Sequence, residues 1–146
     1  MKKTDQIVQI LLPEIENRQI LEAACGRAEF TYSASDYAQS VSCIDLDDSK
    51  LSCAGRDNIH FEIMDAARMR FPDETFDTVF LYNALSHVYS QWEPIQKECR
   101  RVLKPHGSIY IVGTWKIDIV LMKDLFGGKV ERHGDIYIVR LGKETS

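Results

Sequence analysis

A chain of 146 residues can bury one hydrophobic core but not two, so residues 1–146 are expected to form a single domain. Hydrophobic residues at 45% and charged residues at 27% exclude disordered and fibrous classes. A net charge of -4 provides no basic footprint, so nucleic acid is not an expected partner.

No apolar run approaches the roughly 18 residues of a membrane span. No apolar core follows Lys2-Lys3, so neither a secretory leader nor a membrane association is expected, and the expected location is the cytoplasm. The basic residues Lys97, Arg100, Arg101 and Lys104 read as a solvated helix face. Cys25, Cys43, Cys53 and Cys99 form no C-x-x-C pair, so no metal site is expected and the thiols read as reduced.

Thr4 can cap a helix carrying Ile7, Ile10 and Leu11 at helical spacing, stopped by Pro13. Residues 19–23 read as a short apolar strand. A helix over 29–39 follows, with Phe30, Ala34, Tyr37 and Ala38 on one face. Residues 41–44 form a second strand, and the acids of 45–48 suit the start of another helix. A third strand covers 59–64 and a fourth, apolar throughout, covers 78–82. Trp92, Ile95, Cys99, Val102 and Leu103 form a helical stripe, ended by residues 104–107. A fifth strand at 109–112, a helix near 117–125 and a hairpin turning at His133-Gly134 complete the chain. Alternating strands and helices imply an α/β fold: a Rossmann-like, seven-stranded, mostly parallel sheet with a C-terminal antiparallel hairpin and helices on both faces.

Ligands of such sheets bind beyond the carboxyl ends of the strands. Small residues, Ala24-Cys25-Gly26-Arg27-Ala28, follow the first strand. Asp45 follows Gly26 at about the 20-residue interval that suits ribose hydroxyls. Asp65-Ala66 follow the third strand, and Asn83 the fourth. These ends gather acidic and small groups without a cationic cluster, which suits a nucleoside better than a phosphate-rich ligand. Neither G-x-x-x-x-G-K-[ST] nor G-x-G-x-x-G occurs, so P-loop and dinucleotide readings lack their main support. Asp77 and Arg101 read as structural partners and His133 as an inert tip. His87 is open to a role as base or acceptor contact.

Residues 20–26, Ile-Leu-Glu-Ala-Ala-Cys-Gly, resemble the first motif of class I S-adenosylmethionine-dependent methyltransferases, of the small methyltransferase type 11-like kind. Residues 61–71 and 76–79 resemble the family's third- and fourth-strand motifs, and residues 101–107 the segment before its fifth strand. The resemblance runs from about Ile20 to Gly113. It implies S-adenosyl-L-methionine as cofactor and methyl transfer to an acceptor whose identity it leaves open. By resemblance, the loop from Glu22 through Ala24 to Gly26 lines the methionine part of the cofactor. Asp45 binds the ribose with Leu46 beside the adenine. Asp65 accepts from the adenine amine and the Ala66 backbone reads the ring edge. Asn83 lies near the amino-acid tail, and no catalytic residue is assigned.

One departure stands out. The family's G-x-G-x-G loop here keeps only its central glycine, and alanine at a flanking position with positive φ costs of order 1 kcal/mol. The alternative is therefore a degenerate cofactor- or partner-binding module without catalysis. Short loops after the fourth and fifth strands leave the acceptor side open, and a homodimer or a partner subunit is expected.

Overall fold

The computed structural model describes residues 1–51 and 55–143. Seven strands form one sheet: β1 (Gln19–Ala23), β2 (Ser40–Asp45), β3 (Ile59–Ile63), β4 (Phe76–Tyr82), β5 (Leu103–Gly113), β6 (Glu131–His133) and β7 (Ile136–Gly142). Their order is β3-β2-β1-β4-β5-β7-β6. The first five are parallel and the β6–β7 hairpin adds two antiparallel strands. The order reverses at β1/β4, which opens a crevice above the carboxyl ends of those strands.

Strand alternation sorts the core into two layers. Leu21, Val79, Leu81, Ile109 and Ile111 face α4 (Trp92–Val102) and Met122 of α5 (Lys116–Phe126). Ile20, Phe80, Tyr110 and Val112 face α1 (Lys3–Ile10) and α2 (Glu29–Ser35). Phe30 and Phe80, both fully buried, join the second layer at a ring separation of 4.8 Å. A short helix, α3 (Leu85–Val88), follows β4.

Tertiary contacts move several expected boundaries. Thr4 lies inside α1 and caps nothing, because its hydroxyl pairs with that of Ser33 on α2 at 2.7 Å. The second helix stops at Ser35, short of 39. The Tyr37 carbonyl accepts Asn17 N–H and the Gln39 N–H donates to the Arg18 carbonyl, which turns the chain into β2. No helix forms over 46–51 or 55–58, where turns occur instead; residues 52–54 of the expected helix lie outside the described residues. The Asp47 carboxylate bonds the Ser49 N–H and hydroxyl, a local closure that competes with helical pairing.

β5 begins at Leu103, not 109. Leu103 pairs with Phe76 and Ser108 with Thr78, so residues 104–107 bulge opposite Asp77. Asp77 anchors that bulge: one oxygen accepts Gln19 N–H and the other Lys104 Nζ at 3.2 Å. Arg101 clamps the preceding loop, donating to Glu98, Asp73 and the carbonyls of Met69 and Phe71. Among the described residues no helix is long and apolar enough to cross a membrane.

Candidate active site

The crevice above β1, β2, β3 and β4 holds a cavity of about 700 Å³. Its floor is the loop 24–28, and the sequence there dictates a strained turn. Ala24, Gly26 and Ala28 all have positive φ, at 55°, 55° and 62°. The loop thus takes the conformation glycine favours while carrying two alanines, at a cost of order 1–2 kcal/mol each. Ala24→Gly is expected to raise unfolding free energy by up to about 1 kcal/mol, the relief of that strain outweighing the loss of the partly buried methyl that packs against the core. Urea denaturation checks this, and an unchanged or lower midpoint counts against the strain.

Asp45, at the end of β2, fastens this loop. Its Oδ2 accepts Gly26 N–H at 2.6 Å and its Oδ1 accepts Leu46 N–H at 2.7 Å. Charged acceptors of backbone N–H groups make strong hydrogen bonds, and each oxygen retains capacity to accept a second one. Leu46 stands at the rim with 70% of its surface exposed. Asp65 Oδ1 accepts Ala67 N–H at 2.8 Å, while its second oxygen has no hydrogen bond among the described residues. Ala66 and Met64 add an apolar wall beside it.

Asn83 follows β4 with φ of 49°, a region asparagine tolerates better than most residues. Its side chain is spent on structure: Oδ1 accepts Thr114 N–H and Trp115 N–H, and Nδ2 donates to Thr114 Oγ1. Of the eight candidate residues, seven (Ala24, Gly26, Asp45, Leu46, Asp65, Ala66 and Asn83) line the cavity.

Glu22 is not among the lining residues. It lies beneath the loop, 1% exposed, and its Oε1 accepts both Thr31 N–H and Thr31 Oγ1–H, at 3.1 and 2.7 Å. It thereby ties the start of α2 to the end of β1. Burial pushes its carboxyl up to about 8, against the pull of the Thr31 hydrogen bonds, with the Cys43 and Asp45 side chains adding repulsion. The group is therefore neutral at pH 7. Cys25, on the same loop, is raised by its hydrogen bond to the Cys43 thiol and by burial, so it offers no thiolate nucleophile at neutral pH.

His87 lines the cavity, as do Gln91 and Trp115. Trp115 was not a sequence candidate. It stands two residues beyond the end of β5, so reading past the fifth strand as past the first four finds it.

Residues 21–111 match the model of a family described as a methyltransferase domain, which is more than half of the chain. A probable S-adenosylmethionine-dependent methyltransferase of Mycolicibacterium smegmatis is 26% identical over 115 residues, covering 77% of this chain and 44% of its own. A demethylmenaquinone methyltransferase of Shouchella clausii is 30% identical over 116 residues, covering 73% of this chain and 49% of its own. The chain thus spans less than half the length of these relatives. The fold matches a crystal structure of a SAM-dependent methyltransferase from Aquifex aeolicus with a TM-score of 0.72 at 18% identity, covering 94% of this chain and 88% of that one.

Proposed function

Since this chain belongs to the methyltransferase domain family, we propose that it binds S-adenosylmethionine in the crevice and catalyses methyl transfer to an acceptor. The observation that carries the reading is the Asp45 carboxylate, fastened to Gly26 and Leu46 at the switch in strand order.

The residues present fit the nucleoside end of that cofactor. Asp45 would accept from the ribose hydroxyls, and the open oxygen of Asp65 from the adenine amine. Leu46, Met64 and Ala66 supply apolar surface for a flat ring. The backbone of Ala24 to Gly26 would border the methionine end, which the buried Glu22 supports from below. When bound, S-adenosylmethionine supplies a methyl group on a positively charged sulfur, open to in-line attack by an acceptor nucleophile.

The protein's own part is to hold, orient and desolvate. The Glu22–Thr31 and Asp45–Gly26 bonds hold the loop before any ligand arrives, so little ordering cost remains at binding. His87, on the wall after β4, would be the group to take a proton from an acceptor that must lose one. The buried, free thiols of Cys25, Cys43 and Cys99 support a reducing cytoplasmic setting.

Calorimetric titration with S-adenosylhomocysteine and S-adenosylmethionine tests the reading. Micromolar binding of both is expected. Absence of heat at millimolar ligand would overturn it and leave the non-catalytic module as the better account.

A further inference from the structure

We propose that Cys25 and Cys43 form a redox-active thiol pair in the floor of the crevice, which a hydroperoxide oxidises to a disulfide that displaces the loop 24–28. The thiol pair stands on the geometry of the loop, and its effect on the cofactor rests on the proposed function.

The period of β2 and two backbone bonds bring the sulfurs together. Cys43 and Asp45 are two apart in β2 and so project from the same face. The Asp45 carboxylate accepts Gly26 N–H at 2.6 Å. One residue earlier, Cys25 N–H donates to the Ile44 carbonyl at 2.9 Å. These two bonds pin Cys25 beside β2, and its S–H donates to the Cys43 sulfur. Cys25, Cys43 and Ala28 pack as one small buried cluster, backed by Ile59 and Phe61 of β3.

The pair is open toward the cavity. Cys25, 7% exposed, is a lining residue, and Cys43 lies behind it at 0%. Cys99, on α4, is also 0% exposed and does not line the cavity. Burial pushes its thiol up to about 12, which leaves it unreactive at neutral pH.

The chemistry follows from the contact between the sulfurs. The hydrogen bond from Cys25 holds the Cys43 thiol below its ordinary range, against the pull of burial, so the first proton the pair loses is that of Cys43. The remaining proton passes along the hydrogen bond to Cys43 and leaves the charge on Cys25, where a hydroperoxide arrives from the cavity. Cys25 Sγ attacks the terminal oxygen and the O–O bond breaks. The departing alkoxide takes the proton from Cys43 and leaves as an alcohol, or as water when the oxidant is hydrogen peroxide. Cys43 Sγ then attacks the sulfenic sulfur on Cys25. The S–S bond forms and hydroxide is expelled, which the proton lost at the start converts to water. Two thiols are oxidised and one hydroperoxide is reduced.

A disulfide holds its sulfurs about 2 Å apart, well inside non-bonded contact. Closure therefore draws Cys25 toward β2 and shifts the Gly26 N–H relative to the Asp45 carboxylate. Ala24 and Gly26, on either side of Cys25, both sit at φ of 55°, so the backbone that would border the methionine end moves with the sulfur. The coupling is reciprocal: a ligand that holds the loop in its reduced form opposes the disulfide.

The test treats the protein with hydrogen peroxide at pH 8, blocks the remaining thiols by alkylation and maps it with trypsin. A cross-link between peptides 19–27 and 28–50 is expected, with Cys99 still alkylated. Oxidation is expected to weaken S-adenosylhomocysteine at least about tenfold by calorimetry, and dithiothreitol to restore it. Saturating S-adenosylhomocysteine is expected to slow cross-linking at least about tenfold. In Cys43→Ser, peroxide is expected to leave the affinity where it was. Absence of a cross-link, a cross-link from Cys25 to another cysteine, or one that forms only in urea would overturn the thiol pair. An affinity that the disulfide leaves unchanged, a fall in Cys43→Ser as well, or cross-linking that the ligand does not slow would overturn its action on the loop. Failure of the reduced protein to bind S-adenosylhomocysteine would instead overturn the cofactor reading, while the cross-link still decides the thiol pair.

Discussion

Asp45→Ala is expected to lower affinity for S-adenosylhomocysteine at least about 100-fold. The carboxylate makes two backbone hydrogen bonds that shape the loop, at 2.6 and 2.7 Å. Under the proposed function it also accepts from the ribose. Each hydrogen bond to a charged group is worth about 1.5–3 kcal/mol, and each 1.4 kcal/mol is about tenfold in affinity. Alanine removes the acceptors from both Gly26 and Leu46, in a loop that already holds Ala24 and Ala28 at positive φ.

Asp45→Asn separates the two roles. Its amide keeps one acceptor oxygen, so one backbone N–H stays bonded while the other faces an NH₂ donor. An intermediate loss of about tenfold is expected. Calorimetry on the three proteins, with circular dichroism to confirm folding, decides. Wild-type affinity in Asp45→Ala would sink the ribose role and the loop-fastening role together.

Glu22→Gln is expected to change the pH dependence of stability, with the largest gain in alkaline solution. Burial holds the Glu22 carboxyl at about 8 in the folded protein, against an ordinary value of 4.5. Below pH 4.5 both folded and unfolded chains carry the proton. Between those two values the unfolded chain releases it and the folded chain keeps it, so this group's contribution to stability falls as pH rises, by up to about 1.4 kcal/mol per pH unit. Above about 8 the loss levels off. Glutamine keeps a carbonyl oxygen for the Thr31 N–H and hydroxyl and cannot ionise. The difference in unfolding free energy between variant and wild type should therefore grow in the variant's favour from pH 5 to pH 8.

Urea midpoints across pH 4–9 measure that difference. A difference independent of pH would mean that Glu22 is ionised in the folded protein. Glu22→Ala is expected to lower stability by about 1–3 kcal/mol near pH 5, because the buried Thr31 N–H and hydroxyl lose their partner. The two variants together distinguish a positioning carboxyl from one that is merely tolerated.

The alternation of apolar residues in the strands, with Leu21, Val79 and Ile109 on one face and Ile20, Phe80 and Tyr110 on the other, is a property of the sequence alone, because side chains of a strand alternate whatever it packs against. So are the acids and small residues that end the first three strands, and with them the position of the cavity. Local signals failed where a distant group took the bond. Thr4 reads as a cap, but Ser33 takes its hydroxyl. The acids of 45–48 read as a helix start, but Asp45 turns back to Gly26, 19 residues away, and Asp47 closes on Ser49.

The sequence by itself therefore determined the mostly parallel sheet with its closing hairpin and which strand ends form the crevice. Only the tertiary structure decided that Glu22 lies under the loop, bonded to Thr31, while Asp45 faces the cavity. Both are acids at strand ends. What separates them is depth, since one is 1% exposed and the other borders open space, and depth depends on what the rest of the chain places above each carboxyl. Trp115 is likewise held by a distant group: Asn83 accepts its backbone N–H across 32 residues of sequence, a contact that no local pattern records.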